Sequence, residues 1–466
     1  LPQDVQAEAY DWPDELFAKR VWHIGRPAVE ASALARAIDV LRDASRPLIV
    51  AGGGVIYSQA TEALRRFAEA TGIPVAETQA GKGSLIFDHA QAVGAIGATG
   101  TTAANVLANE ADVIIGIGTR YSDFTTASRT VFAAPGVRFI NLNVASVDAH
   151  KQSATALVAD ARSGLQQLLR SVDGWTVDAA YRDRATALAS AWDETVQTSY
   201  DLGHEPLPAQ SEILGAVNRL SRPRDVVVCA AGSMPGDLHK LWRTRDHKGY
   251  HVEYGFSCMG YEIAGGLGIK MAVEDTADDR DVFVMVGDGS YLMMAQEIVT
   301  AVQEGIKLIV VLVQNHGFAS IGALSESLGS QRFGTRYRYR TATGINGDVL
   351  PVDLAANAAS LGADVLRVSG LTEFEKAVAK AQAADVITVI HVETDPLIPA
   401  PDSPAWWDVP VAEVSELDST RSARVGYESS KAGQRSHLAP LDSSPYPVTS
   451  FRQQSVQTNV IKDRQP

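Results

Sequence analysis

The chain has 466 residues, 45% of them hydrophobic, enough for two or three domains with sizeable cores. Its 41 basic and 55 acidic side chains leave a net charge of −14, which disfavours general binding to nucleic acid or to anionic membranes. No apolar run reaches the roughly 18 residues of a membrane span, residues 1–15 are too acidic and polar for a signal peptide, and Cys229 and Cys258 form neither a disulfide framework nor a zinc pattern, so a globular cytoplasmic protein with reduced thiols is expected.

Residues 21–170 read as a doubly wound, parallel-sheet α/β domain. A helix over 29–45 leads into a strand over 47–51, then Gly52-Gly53-Gly54, a helix over 61–71 and a strand over 73–76; 112–118 (DVIIGIG) and 137–142 (VRFINL) are further strands. The glycines at 52–54 and 116–118 suit either a nucleotide or a tight scaffold turn. The spacing Gly-x-Gly-x-x-Gly is missing, which favours the scaffold. Residues 171–207 read as a polar helix and linker. Residues 208–402 read as a second doubly wound parallel-sheet domain, with strands near Val226, Val252, Val284, Val310, Val365 and Val389. Residues 403–466 form a C-terminal extension, and the Ser/Gln/Pro-rich composition of 429–466 predicts a disordered tail.

Within the second domain, an apolar run over 281–286, a helical pattern over 293–304 and another apolar run over 308–313 make a βαβ unit. Both strands then end on the same edge of the sheet, where open α/β folds bind ligands. Gly287-Asp288-Gly289-Ser290 closes the first strand, and Asn315 closes the second 27 residues beyond Asp288. One carboxylate and one amide oxygen make a hard, weakly charged site that suits magnesium shared with phosphate oxygens and water. Gly287 and Gly289 let the backbone approach such a ligand, and a helix starting near Tyr291 aims its free N–H groups at the anion. His316, His239 and His251 are the candidates for proton transfer, with His316 best placed because it lies between two site residues. The basic strip 332–340 (RFGTRYRYR) reads as a local β-edge or a wall of the site in preference to an RNA-binding segment, and Tyr254 is a further candidate for facing substrate.

The GDG and Asn pair resembles the diphosphate-binding motif of thiamine diphosphate (ThDP) enzymes. The flanking segments YGFSCMGYEIAGG, NHGF and WWDVPV are similar to the trihydroxycyclohexanedione hydrolase family, the ring-opening ThDP enzymes of myo-inositol catabolism, over residues 1–428. The resemblance implies ThDP and magnesium as cofactors, with Asp288, Asn315 and the Gly317 carbonyl on the metal. It implies Gly232, Ser233, Gly287, Gly289 and Ser290 at the diphosphate, Ser257 beside the cofactor, and Met259 under its two rings. It also implies hydrolysis of a carbon-carbon bond in a cyclic polyol dione, 5-deoxyglucuronate as product, and a homo-oligomer. One departure stands out: the common family signature has a proline where this chain reads Glu262-Ile263-Ala264. Residues 1–20 are similar to the end of a pyrimidine-binding domain, which in the family carries the glutamate that activates the cofactor. That glutamate is expected to lie outside this chain, and turnover by the chain alone is not expected. Two alternatives share the motif or the fold: an acetolactate synthase-like carboligase or decarboxylase carrying a flavin on the central domain, and a catalytically silent scaffold.

Overall fold

In the computed structural model, which describes residues 1–276 and 278–436, the chain builds two six-stranded sheets, all of whose pairings are parallel. The first comprises β1 (Pro47–Ala51), β2 (Val75–Glu77), β3 (Ala92–Ala95), β4 (Val113–Ile117), β5 (Arg138–Asn143) and β6 (Thr155–Val158), in the order β3-β2-β1-β4-β5-β6. The second comprises β7 (Val226–Cys229), β8 (Tyr250–Val252), β9 (Val282–Gly287), β10 (Ile309–Gln314), β11 (Asp364–Val368) and β12 (Thr388–Glu393), in the order β11-β12-β10-β9-β7-β8. Every residue of β1, β4, β7 and β10 is buried, as continuous apolar runs covered on both faces require. The expected α/β class with two doubly wound sheets is what the chain adopts.

The chain reverses its direction of travel between β1 and β4 in the first sheet and between β7 and β9 in the second, which turns back once more at its far edge to place β12 inside β11. In open α/β sheets ligands lodge at such switch points, outside the carboxyl ends of the strands. The first is closed by its own backbone. Gly52 N–H donates to Ile117 O at 2.8 Å and Gly54 N–H to Gly118 O at 3.0 Å, and a Cβ on Gly52 would lie 2.3 Å from Gly118 O. The glycines there are needed for loop-on-loop contact.

Alternate residues of the second sheet serve different cores. Val226, Val228, Val282, Val284, Val310 and Leu312 face one cluster, with Tyr291 and Ile298. Val227, Phe283, Met285, Ile309, Val311 and Ile390 face another that runs without interruption into the interior of the first sheet. The segment 171–207 is more than a linker, because its helix Ala179–Tyr200 buries Trp192 and Tyr200, whose Nε1–H and hydroxyl donate to Lys240 O and Leu241 O.

The extension also departs from expectation. A helix, Asp418–Ala432, runs through the start of the stretch expected to be disordered, and beyond it Arg435 N–H donates to Arg129 O at 2.9 Å while its guanidinium stacks 4.9 Å from the centre of Phe139. Upstream, Trp407 packs against Phe124 with ring centres 4.9 Å apart. Residues 437–466, the remainder of that expectation, lie outside the described residues. Residues 1–25 are all exposed.

Candidate active site

At the second switch point β9 delivers Asp288 into the interior, 1% exposed. Its Oδ1 accepts from Gly289 N–H at 2.8 Å, and its Oδ2 from the N–H groups of Asn315 and Gly317, both at 3.1 Å. Burial raises the carboxyl pKa, and the amides that point at it pull the other way. No basic side chain pairs with it among the described residues. Asn315 Oδ1 is buried beside it without a hydrogen-bond partner. A buried carboxylate without a counter-charge next to an orphaned amide oxygen is an unfinished arrangement, since each such group costs about 1–3 kcal/mol or more unless satisfied. A hard cation bound by oxygen would complete it. Among the described residues no cluster of three or more His, Cys, Asp or Glu offers the softer alternative.

Gly317 is held in place by an antiparallel bridge to Arg336, and Phe318 N–H donates to Thr335 O at 2.8 Å. A Cβ on Gly317 would meet Thr335 O at 2.2 Å. The 332–340 strip is therefore a local β-edge against the site. It contributes Tyr337, whose hydroxyl is buried without a partner and whose pKa is raised by burial and by the charge of Asp288. His316 sits between the site residues with φ +59°, its Nδ1 accepting from Gln314 Nε2–H at 3.0 Å and its Nε2 3.3 Å from Glu393 Oε2.

The facing loops come from β7 and from the segment before the helix Tyr261–Asp275. Gly232 has φ +83°, and a Cβ there, as at Gly287, would meet nothing within 4 Å, so space stands open above both turns. Ser233 exchanges hydrogen bonds with Gln210, and Ser257 donates to Ala230 O at 2.9 Å. Met259 reaches the GDG turn, its Cε 3.5 Å from where a Gly289 Cβ would be, with the Phe318 ring closer still.

Three expectations change here. The helix that follows the motif begins at Asp288, as the single turn Asp288–Tyr291, and the next begins only at Glu297, so no long helix starting near Tyr291 points at the ligand. Ser290 does not face open space; its hydroxyl donates to Glu262 at 2.7–2.8 Å and accepts from Gly260 N–H at 2.7 Å. His239 lies at the contact between the two sheets and not at the motif. Its Nδ1 is 2.9 Å from Thr99 Oγ1 and its Nε2 3.1 Å from Glu77 O, and burial drives its pKa down to about 3. His251 is partly buried against the Tyr261 hydroxyl at 2.7 Å, and burial lowers its pKa as well. Tyr254 reaches across to the first sheet's loops, its hydroxyl 3.2 Å from Ser122 Oγ. Glu262 and Tyr337 are the site residues not assigned from sequence; the only trace of the first is that it opens the stretch Glu262-Ile263-Ala264, in which the family's proline is missing.

The family described as thiamine pyrophosphate enzyme, central domain, matches residues 34–168, and the thiamine pyrophosphate enzyme C-terminal TPP-binding domain matches residues 230–392. The chain is 38% identical over 455 residues to 3D-(3,5/4)-trihydroxycyclohexane-1,2-dione hydrolase 2 of Bacillus cereus, covering 92% of this chain and 70% of that protein. It is likewise 38% identical over 460 residues to the 3D-(3,5/4)-trihydroxycyclohexane-1,2-dione hydrolase of Clostridium perfringens, covering 93% and 71%. A solved structure described as a thiamin diphosphate-dependent enzyme from Mycobacterium smegmatis shares the fold, with TM-score 0.59 and 20% identity over 81% of this chain and 67% of that one. The chain belongs to the thiamine pyrophosphate enzyme family, in the group of the trihydroxycyclohexane-1,2-dione hydrolases.

Proposed function

We propose that the site between β7 and β9 holds thiamine diphosphate through a magnesium ion and opens the ring of 3D-(3,5/4)-trihydroxycyclohexane-1,2-dione by hydrolysing a carbon-carbon bond, giving 5-deoxyglucuronate in myo-inositol breakdown. The observation that carries the reading is the unpartnered Oδ1 of Asn315 beside the buried, uncompensated carboxylate of Asp288. Asp288, Asn315 Oδ1 and the Gly317 carbonyl would hold the metal. Gly232, Ser233, Gly287 and Gly289 would line the diphosphate, and Met259 would support the rings above the GDG turn. Bound there, the cofactor would supply a nucleophilic carbon and an electron sink for the cleavage. The protein's part is to position it, to keep water off the metal ligands, and to hold a proton at His316 Nε2, which Glu393 orients.

The rim of this site exposes Phe256, Leu292, Met293 and Ile321, an apolar edge that supports a homo-oligomer covering it. No helix among the described residues is long and apolar enough to cross a membrane, and a cytoplasmic enzyme is part of the reading. Titration with thiamine diphosphate in the presence and absence of magnesium, followed by a product assay on the cyclic dione with a separately made pyrimidine-binding domain added, tests it. Magnesium-independent uptake or no uptake would overturn the cofactor assignment, and turnover of 2-oxo acids in place of the dione would favour a carboligase.

A further inference from the structure

Glu262 is a buried carboxylate, 1% exposed, in the first turn of the helix Tyr261–Asp275, with no basic partner among the described residues. Its oxygens accept from three donors on three separate loops. Ala231 N–H, after β7, reaches Oε1 at 3.3 Å; Gly260 N–H, before the helix, reaches Oε2 at 3.1 Å; and the Ser290 hydroxyl, after β9, reaches both oxygens at 2.8 and 2.7 Å. Gly260 N–H also donates to Ser290 Oγ at 2.7 Å, so Gly260, Ser290 and Glu262 close a hydrogen-bonded ring to which Ala231 N–H ties the β7 loop. The β7 and β9 loops that it joins flank the second switch point, the counterpart of the crevice that glycine backbone closes in the first sheet.

We propose that Glu262 is a positioning residue that braces the β7 and β9 loops into one diphosphate-binding surface. The inference rests on the cofactor reading above and extends it to a residue outside the GDG and Asn motif. Burying a carboxylate without a counter-charge is costly, and three hydrogen-bond donors, one of them shared by both oxygens, are what make it tolerable. That cost is placed where the two halves of a ligand crevice must keep their separation, and Ser290, with its single proton turned to Glu262, acts as a strut between the loops.

The test compares Glu262→Ala and Glu262→Gln with Glu212→Ala. Glu212 is also buried and collects the N–H groups of Gly203, His204 and Ala209 without touching the β7 or β9 loop, so it reports what loss of a buried acceptor does to stability. Calorimetry with magnesium thiamine diphosphate, a second series with magnesium pyrophosphate, and the rise in melting temperature each ligand produces are the readouts. Glu262→Ala is expected to weaken both ligands by about 10- to 100-fold, the range typical of groups that orient ligand-binding residues. Glu262→Gln, which keeps one accepting oxygen, should fall between it and wild type, and Glu212→Ala should melt earlier yet keep the full ligand-induced rise. Should Glu262→Ala fail to fold, Ser290→Ala, which removes only the strut, is expected to weaken both ligands in the same direction. Affinity within about twofold of wild type in the folded variant, or an equal loss in Glu212→Ala, would overturn the brace. Wild-type protein that takes up neither ligand would instead overturn the cofactor reading on which it rests.

Discussion

Asp288 and Asn315, 27 residues apart in the chain, are joined by a 3.1 Å hydrogen bond from the Asn315 backbone N–H to Asp288 Oδ2, and the Asn315 side-chain Oδ1 is buried without a partner. The carboxylate thus organises the loop that presents the amide oxygen, and the two residues cannot be equivalent. Asp288→Ala is expected to abolish magnesium-dependent thiamine diphosphate binding, because it removes both a charge and the acceptor for two loop amides. Asn315→Ala removes one neutral ligand and should cost more than about tenfold, or 1.4 kcal/mol, while leaving binding measurable. Calorimetry showing unchanged affinity for Asp288→Ala would refute the metal assignment.

Tyr337 gives a sharper contrast between folding and binding. Its hydroxyl is buried without a partner, so Tyr337→Phe should leave the ligand-free protein as stable as wild type or about 1 kcal/mol more stable in urea unfolding. If that hydroxyl is kept for a ligand oxygen, the same variant should bind magnesium thiamine diphosphate more weakly. A loss of stability without a loss of affinity would mean that the group serves packing only.

His239 predicts the acid limb of stability. Burial holds its pKa at about 3 against an ordinary 6.5, so the folded protein refuses a proton that the unfolded chain accepts. This contribution is whole above pH 6.5 and is lost as pH falls from about 6.5 toward about 3. In NMR titration the His239 ring should stay neutral through about pH 5, and replacing it with Gln should flatten the fall of melting temperature over that window. A ring titrating near 6.5 would contradict the buried assignment.

The first switch point predicts a steric effect. Gly118 has φ +59°, and a Cβ there would lie 2.5 Å from Gly54 Cα, which is backbone and cannot turn aside. Gly118→Ala should cost about 1–3 kcal/mol or more in urea unfolding. The wild-type protein, denatured after purification, should release neither flavin nor nicotinamide nucleotide. Stoichiometric nucleotide in the supernatant would show that this crevice opens.

What the sequence made legible follows from strength of pattern. The runs 47–51 and 61–71 match observed elements residue for residue, and 281–286 and 308–313 miss theirs by one, because buried parallel strands and an amphipathic helix write a strong periodicity. The helix Asp418–Ala432 was not foreseen: it buries only Thr420 and Tyr427 and is laced instead by Arg424 with Glu428 and Lys431 with Asp408, contacts that have no hydrophobic period. Around Glu262 the sequence shows only that the stretch Glu262-Ile263-Ala264 lacks the family's proline. The meaning of Glu262 depends on Ala231 and Ser290, distant in the chain on either side, which local pattern does not bring together. His239 was set near the motif by proximity in sequence, whereas the helix Met234–Leu241 carries it toward Thr99 and Glu77.

The shared interior of the two sheets has a consequence for how the protein comes apart. Phe283, Val311 and Ile390 belong to the same continuous cluster as Ile49 and Ile115, so one half cannot lose its order without baring oily surface on the other. Heating should produce one sharp transition where two independent modules would give two. A piece cut out after residue 207 would carry the whole metal motif and the helices Gln210–Leu220 and Leu371–Ala383 that line its sheet, and still be a poor substitute for the chain, because Trp192 and Tyr200 of the helix Ala179–Tyr200 would no longer cover those helices.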